Sequence, residues 1–145
     1  MIDPRTAPYA AFLLRAALGA MFIAHALLKI LLFTPAGTAG FFASIGLPGW
    51  LAYPVMGVEL IGGVLLVAGI QTRAVALALL PVLIGATWAH AANGWLFSNE
   101  HGGWEYPLLL TVVALVQALL GDGAYSAGAL LARRHQTPRA GLAAT

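Results

Sequence analysis

Four long apolar stretches, almost free of charged side chains, constrain this sequence more than any other feature. They cover residues 9–33, 51–70, 74–92 and 106–120. A helix that crosses the hydrocarbon core of a bilayer needs ~20 mostly apolar residues. Only 8% of the whole chain is charged, whereas a soluble domain carries ~25%. The sequence therefore predicts an all-α integral membrane bundle of four transmembrane helices.

The rest of the chain leaves no room for a second domain. Residues 1–132 are predicted to form one transmembrane four-helix domain, and residues 133–145 a disordered basic tail, because they lack apolar periodicity. The first stretch is not expected to be a signal peptide, since it is long and carries Lys29 near its end. The chain has no cysteine, so a redox function would require a bound cofactor.

The positions of the arginines predict the orientation of the bundle, because basic residues that flank a span stay in the cytoplasm. With four spans, the two termini and the middle turn lie on one side. The arginines on that side are Arg5, Arg73, Arg133, Arg134 and Arg139. The tryptophans fall at the opposite helix ends, at Trp50, Trp88, Trp95 and Trp104. Both termini are therefore predicted to be cytoplasmic, and the net charge gives no reason to expect a nucleic-acid partner.

Ionisable residues are concentrated in the predicted outer half of the bundle. A rise of ~1.5 Å per residue places His25 and Glu59 at a common depth of roughly 12 Å. Lys29, His90 and Glu105 lie nearer the outer surface. Arg15, near the inner end, is expected to extend its long side chain to the membrane surface. The inner half offers few other polar candidates.

Glu59 requires a partner, because an unpaired charge inside a bilayer costs several kcal/mol. His25 and Lys29 are four residues apart and share a helix face. Gly62 and Gly63 follow Glu59 and permit a close approach of helices. These spacings predict a contact of Glu59 with His25, with Lys29 or with both.

Such polar groups can hold a bundle together or line a binding pocket. If all of them pair with one another, their side chains fill the space between the helices and leave no cavity. A pocket instead requires a cavity for a ring-sized group, apolar walls from residues such as Phe22 and Trp88, and a polar group without a protein partner. The loop from Trp95 to Trp104 is the expected roof.

Several short motifs carry a resemblance to one family. They are Arg15-x-x-Leu18-Gly19-x-x-Phe22 with His25 and Lys29; Gly40-Phe41-Phe42-Ala43-Ser44-Ile45-Gly46-Leu47-Pro48; Glu59-x-x-Gly62-Gly63 with Gly69, Thr72 and Arg73; His90-x-x-Asn93-Gly94-Trp95; Gly103-Trp104-Glu105-Tyr106-Pro107-Leu108; and Gly121-Asp122-Gly123-Ala124-Tyr125-Ser126. With these motifs the chain resembles the DoxX family of small bacterial four-span membrane proteins. The resemblance extends from about Arg15 to Ser126. Two positions depart from the family pattern, Ala26 and the pair Ala127-Gly128.

The resemblance implies redox chemistry at the bacterial inner membrane, often with quinone. Relatives include the membrane subunit of a thiosulfate:quinone oxidoreductase, quinone-stress proteins and a membrane partner in a thiol and superoxide defence assembly. By this resemblance the chain is a multi-pass oxidoreductase subunit or redox-associated protein, with soluble redox proteins as possible partners. His25 or Lys29 would donate to a quinone carbonyl, and Glu59 would accept or relay a proton. The residues that would help to bind quinone, or another lipophilic ligand, are His90, Asn93, Trp104 and Glu105.

Two other functions stay open. Histidines and carboxylates could hold haem or a metal ion, but His25 and His90 differ in depth by about two helical turns, and no His-Glu-x-x-His spacing is present. No metal ligands are therefore assigned. The other alternative is a non-catalytic membrane partner or a small transporter, in which the polar cluster is structural or lines a path.

Overall fold

The computed structural model describes residues 3–135, and all regular structure in that range is helical. The helices are α1 (Ala7–Leu27), α2 (Pro35–Ser44), α3 (Ala52–Ala68), α4 (Thr72–Ala89), α5 (Glu105–Leu120) and α6 (Ala127–His135). A π-helical turn (Leu28–Leu32) continues α1. Single 3-10 turns precede α3 (Gly49–Leu51) and follow α4 (Ala91–Asn93). The all-α prediction is confirmed.

Three helical runs are long and apolar enough to cross a membrane, namely Ala7–Leu32, Gly49–Ala68 and Thr72–Ala89. The fourth predicted span corresponds to α5, which is apolar but has only 16 residues. At ~1.5 Å per residue, α5 is about 24 Å long, somewhat shorter than the hydrocarbon core. Large apolar side chains such as Leu13, Ile61 and Leu119 are exposed on the outside of the bundle. A lipid environment accounts for such a surface.

A tight turn forces α3 and α4 to run antiparallel. Gly69 ends α3 in the left-handed conformation with φ of 70°, and Gln71 follows with φ of 51°. Glycine adopts this conformation without steric cost. We call this side of the bundle the short-turn end. The opposite side, where α1 and α4 finish and α3 and α5 begin, is the long-loop end.

Two adjacent glycines in α3 bring three helices together. A side chain at Gly63 would lie 2.8 Å from the backbone oxygen of Gly19 in α1. Gly62 instead faces Leu79 of α4. The predicted close approach is confirmed, and it places α3 between its two neighbours. The buried apolar core between these helices and α5 contains Leu18, Phe22, Leu66, Ala76, Leu79, Leu83 and Ala114.

The segment between α1 and α3 contains the short helix α2, whose 10 residues are too few to cross a bilayer. Thr34 starts this helix by accepting a hydrogen bond from the backbone N–H of Gly37. α2 packs on the start of α3, so it covers part of the bundle at the long-loop end.

The prediction that Arg15 extends to the membrane surface is wrong. Its side chain is fully buried, with an exposed fraction of 0%. Its guanidinium donates to the backbone oxygens of Leu66 and Val67 at 3.1 and 3.2 Å and to those of Ala124 and Tyr125 at 3.1 and 3.3 Å. The carbonyls at the C-terminal end of α3 have no partner within the helix and carry partial negative charge. This environment holds Arg15 inside the bundle.

The boundary between bundle and tail at residue 132 stays a prediction. α6 runs from Ala127 to His135, and residues 136–145 of the predicted tail lie outside the described residues. The prediction that both termini are cytoplasmic also stays a prediction.

Candidate ligand-binding cavity

A cavity of about 1280 Å³ lies at the long-loop end of the bundle. Four of the predicted site residues line it: His25, Lys29, Glu59 and His90. Most of the remaining wall is apolar and includes Phe22, Phe42, Pro81, Leu83 and Leu110. Ligand sites in proteins typically enclose ~300–1,000 Å³ with mostly apolar walls and a few polar groups. The polar side chains therefore line a cavity and do not fill the space between the helices.

Glu59 pairs with Lys29. The ammonium group of Lys29 lies 2.5 Å from Oε1 and 2.6 Å from Oε2 of Glu59. The Glu59 side chain is 5% exposed and that of Lys29 is 22% exposed. The Glu59 side chain is thus enclosed, whereas the Lys29 side chain, which lines the cavity, is partly open. Of the two partners that the sequence left possible, the structure selects Lys29.

Side-chain direction explains why Glu59 contacts Lys29 and not His25. Side chains of a helix lean toward its N-terminus. α1 ends at the long-loop end, so Lys29 leans back into the bundle, and α3 begins there, so Glu59 leans outward. The two side chains therefore approach one another, although their Cα atoms lie at different depths. His25 leans further inward and away from the Glu59 carboxylate.

The backbone around Lys29 is unusual, because Lys29 lies in the π-helical turn. Within this turn the N–H of Phe33 donates to the oxygen of Leu28 at 2.9 Å. The hydroxyl of the buried Thr38 in α2 lies 3.2 Å from the oxygen of Lys29 and 3.0 Å from that of Thr34. Such turns often occur at functional sites. Thr38 connects α2 to the residue that carries the positive charge of the cavity.

His25 is held by its own helix. Its Nδ1 lies 2.8 Å from the backbone oxygen of Met21. Its ring stacks on Tyr106 of α5, with 6.3 Å between ring centroids and 24° between ring planes. The hydroxyl of Tyr106 lies 3.4 Å from the sulfur of Met21. Both rings line the cavity, so α1 and α5 together present an aromatic wall.

His90 lies where α4 meets the loop, and its Nδ1 is 3.1 Å from the backbone oxygen of His101. Asn93 donates to the same oxygen through Nδ2 at 3.1 Å. A carbonyl oxygen can only accept, so both groups are donors, and the 3.5 Å separation between them is proximity without a hydrogen bond. His90 lines the cavity, whereas Asn93 does not.

Trp104 and Glu105 shape the loop without lining the cavity. Oε1 of Glu105 accepts a hydrogen bond from the backbone N–H of Phe97 at 2.9 Å. The rings of Trp95 and Trp104 meet edge to face, with 4.5 Å between centroids. The loop contributes Phe97, Gly102 and Gly103 to the cavity wall. Ligand binding by Asn93, Trp104 or Glu105 thus stays a prediction for which the cavity lining gives no support.

Trp88 was expected in an apolar wall of the pocket. It lines a separate apolar groove between α4 and α5 instead, together with Ile84 and Trp104. Within residues 3–135, no group of three or more His, Asp or Glu side chains is arranged to hold a metal ion.

Two cavity residues with polar side chains were not identified as candidates from the sequence, Tyr106 and Thr38. Tyr106 directly follows Glu105 at the start of the fourth span, at the depth assigned to Lys29 and His90. Counting hydroxyl groups as well as ionisable groups by depth would have identified it. Thr38 lies in α2, outside the spans, and its contact with Lys29 depends on how α2 folds back over the bundle.

Comparisons with known proteins identify relatives of this chain. The DoxX family model matches residues 10–92. The Bacillus subtilis (strain 168) protein named "Putative oxidoreductase CatD" is 40% identical over 110 residues, which cover 76% of this chain and 78% of the relative. No solved structure matches the chain significantly.

Proposed function

The chain belongs to the DoxX family of multi-pass membrane proteins, and from this premise we propose that it takes part in membrane redox chemistry by binding a quinone in the cavity at the long-loop end. The relative named as an oxidoreductase supports the redox assignment. The observation that carries the proposal is one ion pair, Lys29 with Glu59, on the wall of a large and otherwise mainly apolar cavity.

The chemistry of this wall suits a ring that is apolar except for its oxygens. Lys29 donates to a quinone oxygen, and Glu59 holds the ammonium group in place and receives or returns a proton. Apolar side chains from α1, α2, α4 and α5 surround the ring. The cavity thereby provides the mixture of apolar surface and a few placed polar groups that small-molecule sites use.

Thiols of this chain cannot supply the electrons, because it has no cysteine. The proposed partner is a soluble redox protein or a further subunit. The proposed location is the bacterial inner membrane, with the long-loop end outside and both termini in the cytoplasm.

Quinone binding can be measured directly on the purified protein in mild detergent. Tetramethyl-p-benzoquinone should quench tryptophan fluorescence saturably, and Glu59→Gln should weaken its binding roughly tenfold, since it disrupts a charge-assisted contact. Glu100→Gln is the matched control, because Glu100 is an exposed carboxylate on the same loop side. If tetramethyl-p-benzoquinone does not bind saturably to the wild type, this result contradicts the proposal and favours a non-catalytic membrane partner. A haem absorption band would favour the haem alternative.

The orientation has its own test, by labelling single cysteines in intact cells. Cysteines at Gly40 and Ser98 should react with an impermeant reagent, and one at Gln71 should not. All three positions are exposed, whereas the neighbouring Thr72 is fully buried and would be a poor reporter. Labelling at Gln71 from outside would reverse the proposed orientation.

A further inference from the structure

We infer that the cavity prefers the reduced, hydroxyl-bearing form of its ring ligand, because His25 presents a hydrogen-bond acceptor one helical turn from the donor of Lys29. This inference rests on the proposed quinone binding and specifies which form of the ligand the site recognises better.

The hydrogen bond of His25 to its own helix fixes the position of the imidazole proton. Nδ1 lies 2.8 Å from the backbone oxygen of Met21, and a carbonyl oxygen can only accept. Nδ1 therefore carries the proton, and in the neutral ring Nε2 has only a lone pair. The Nδ1 edge faces the backbone of α1, so the Nε2 edge faces away from it, on a side chain that lines the cavity. No polar atom within the described residues hydrogen-bonds to Nε2.

Lys29 supplies the complementary group. Its ammonium has three protons, and its recorded acceptors in the described part of the chain are the two oxygens of Glu59. The remaining proton is available to a ligand on the 22% exposed side chain. His25 and Lys29 are four residues apart on one face of α1 and the π-helical turn that continues it. Both side chains line the same cavity, so one ligand can contact both.

The two forms of such a ring meet this pair differently. In a hydroquinone, one hydroxyl donates to Nε2 of His25, and the oxygen of the other accepts from Lys29. In a quinone, one carbonyl accepts from Lys29, but the other would face the lone pair of Nε2 and leave two acceptors opposed. The reduced ring satisfies both groups, whereas the oxidised ring satisfies one.

The difference holds for the neutral imidazole of His25, whose Nε2 can only accept. The other charged or titratable side chains on the cavity wall are Lys29 with its partner Glu59, Tyr106 stacked on the His25 ring, and His90. His90 also directs Nδ1 to a carbonyl, that of His101, so the same tautomer leaves its Nε2 as an acceptor. Both histidines therefore favour hydroxyl groups in their neutral form.

The test compares tetramethyl-p-benzoquinone with its hydroquinone by fluorescence titration of the purified full-length protein under anaerobic conditions. The hydroquinone should bind roughly threefold to tenfold more tightly, the effect of one neutral hydrogen bond, at about pH 8. His25→Asn should abolish the preference, since its amide can keep the bond to Met21 but cannot reach the position of Nε2. His25→Gln, which can place an amide oxygen there, should retain part of it.

The outcomes separate the inference from the proposed function. Equal binding of both forms, or an unchanged preference in His25→Asn, overturns the inference and leaves quinone binding intact. Failure of the wild type to bind either form overturns both. Should the variants not fold, nitrogen NMR of isotopically labelled histidine in the wild-type protein reports the tautomer directly. A neutral His25 that carries its proton on Nε2 would overturn the inference.

Discussion

The two ends of the bundle use similar polar residues in opposite ways. At the short-turn end, Arg15 is 0% exposed and donates to four backbone oxygens from two segments. At the long-loop end, Lys29 is 22% exposed and lies on the wall of an open cavity. A buried charge whose hydrogen bonds go to the protein stabilises the fold, whereas a charge beside open space is available to a ligand.

Further contacts close the short-turn end. Oδ1 of Asp122 accepts from the backbone N–H of Thr72 at 3.1 Å, at the start of α4. The hydroxyl of Ser126 donates to the oxygen of Gly69 at 2.8 Å, and the amide of Gln117 donates to that of Gly121 at 2.7 Å. The first two bonds connect the α3–α4 turn to the segment after α5, and the third closes the end of α5. We therefore assign a structural role to this end and a binding role to the other.

Removal of Arg15 should have the largest effect on stability. Arg15→Met leaves carbonyl oxygens of α3 and of the segment after α5 without a donor, and we expect the free energy of unfolding to fall by about 3 kcal/mol or more. Thermal unfolding in detergent measures the loss. Arg5→Met is the control, because Arg5 is exposed near the N-terminus. An Arg15→Met protein as stable as the control would contradict the structural role of the short-turn end.

Breaking the ion pair should cost less, because Lys29 is partly open to the cavity. Lys29→Met strands a nearly enclosed carboxylate and should lower stability by about 2 kcal/mol. The double variant Lys29→Met/Glu59→Met should recover most of this loss, since no charge is then left unpaired. A double-mutant cycle measures the coupling. Purely additive losses would show that the two residues do not stabilise one another.

Two glycine substitutions compare closed and open regions with the same chemical change. Gly63→Ala places a methyl group 2.8 Å from the backbone oxygen of Gly19 and should cost about 1–2 kcal/mol. Gly85 lines the cavity and has open space around its missing side chain. Gly85→Ala should therefore be neutral or slightly stabilising, because alanine favours helix. Equal losses in both variants would indicate that the cavity is filled by protein.

The smallest effect is expected at Glu105. Glu105→Ala removes the acceptor for the N–H of Phe97 and should reduce stability by about 1 kcal/mol or less. Affinity for tetramethyl-p-benzoquinone should stay within about twofold of wild type, well below the effect of losing a hydrogen bond. A tenfold loss of affinity without a loss of stability would instead place Glu105 in the binding site, as the sequence predicted.

The sequence alone determined the class of fold and the position of the polar groups along the helices. Apolar stretches with few charges predict membrane helices, because lipid offers no partner to polar groups. Counting residues from helix ends gives depth, so the cluster of His25, Lys29, Glu59 and His90 at one end follows from helix geometry. The need of Glu59 for a partner follows from the cost of a buried charge.

Only the tertiary structure decided which of these groups meet. The choice of Lys29 over His25 depends on the opposite directions in which side chains of α1 and α3 lean. The burial of Arg15 depends on carbonyls supplied by two segments that are distant in sequence. Glu105 is directed to the loop because its carboxylate accepts a hydrogen bond from the backbone N–H of Phe97. The cavity itself depends on how α2 and the loop before α5 close over the helices. Depth is a local property of a helix, whereas contact depends on the relative placement of several.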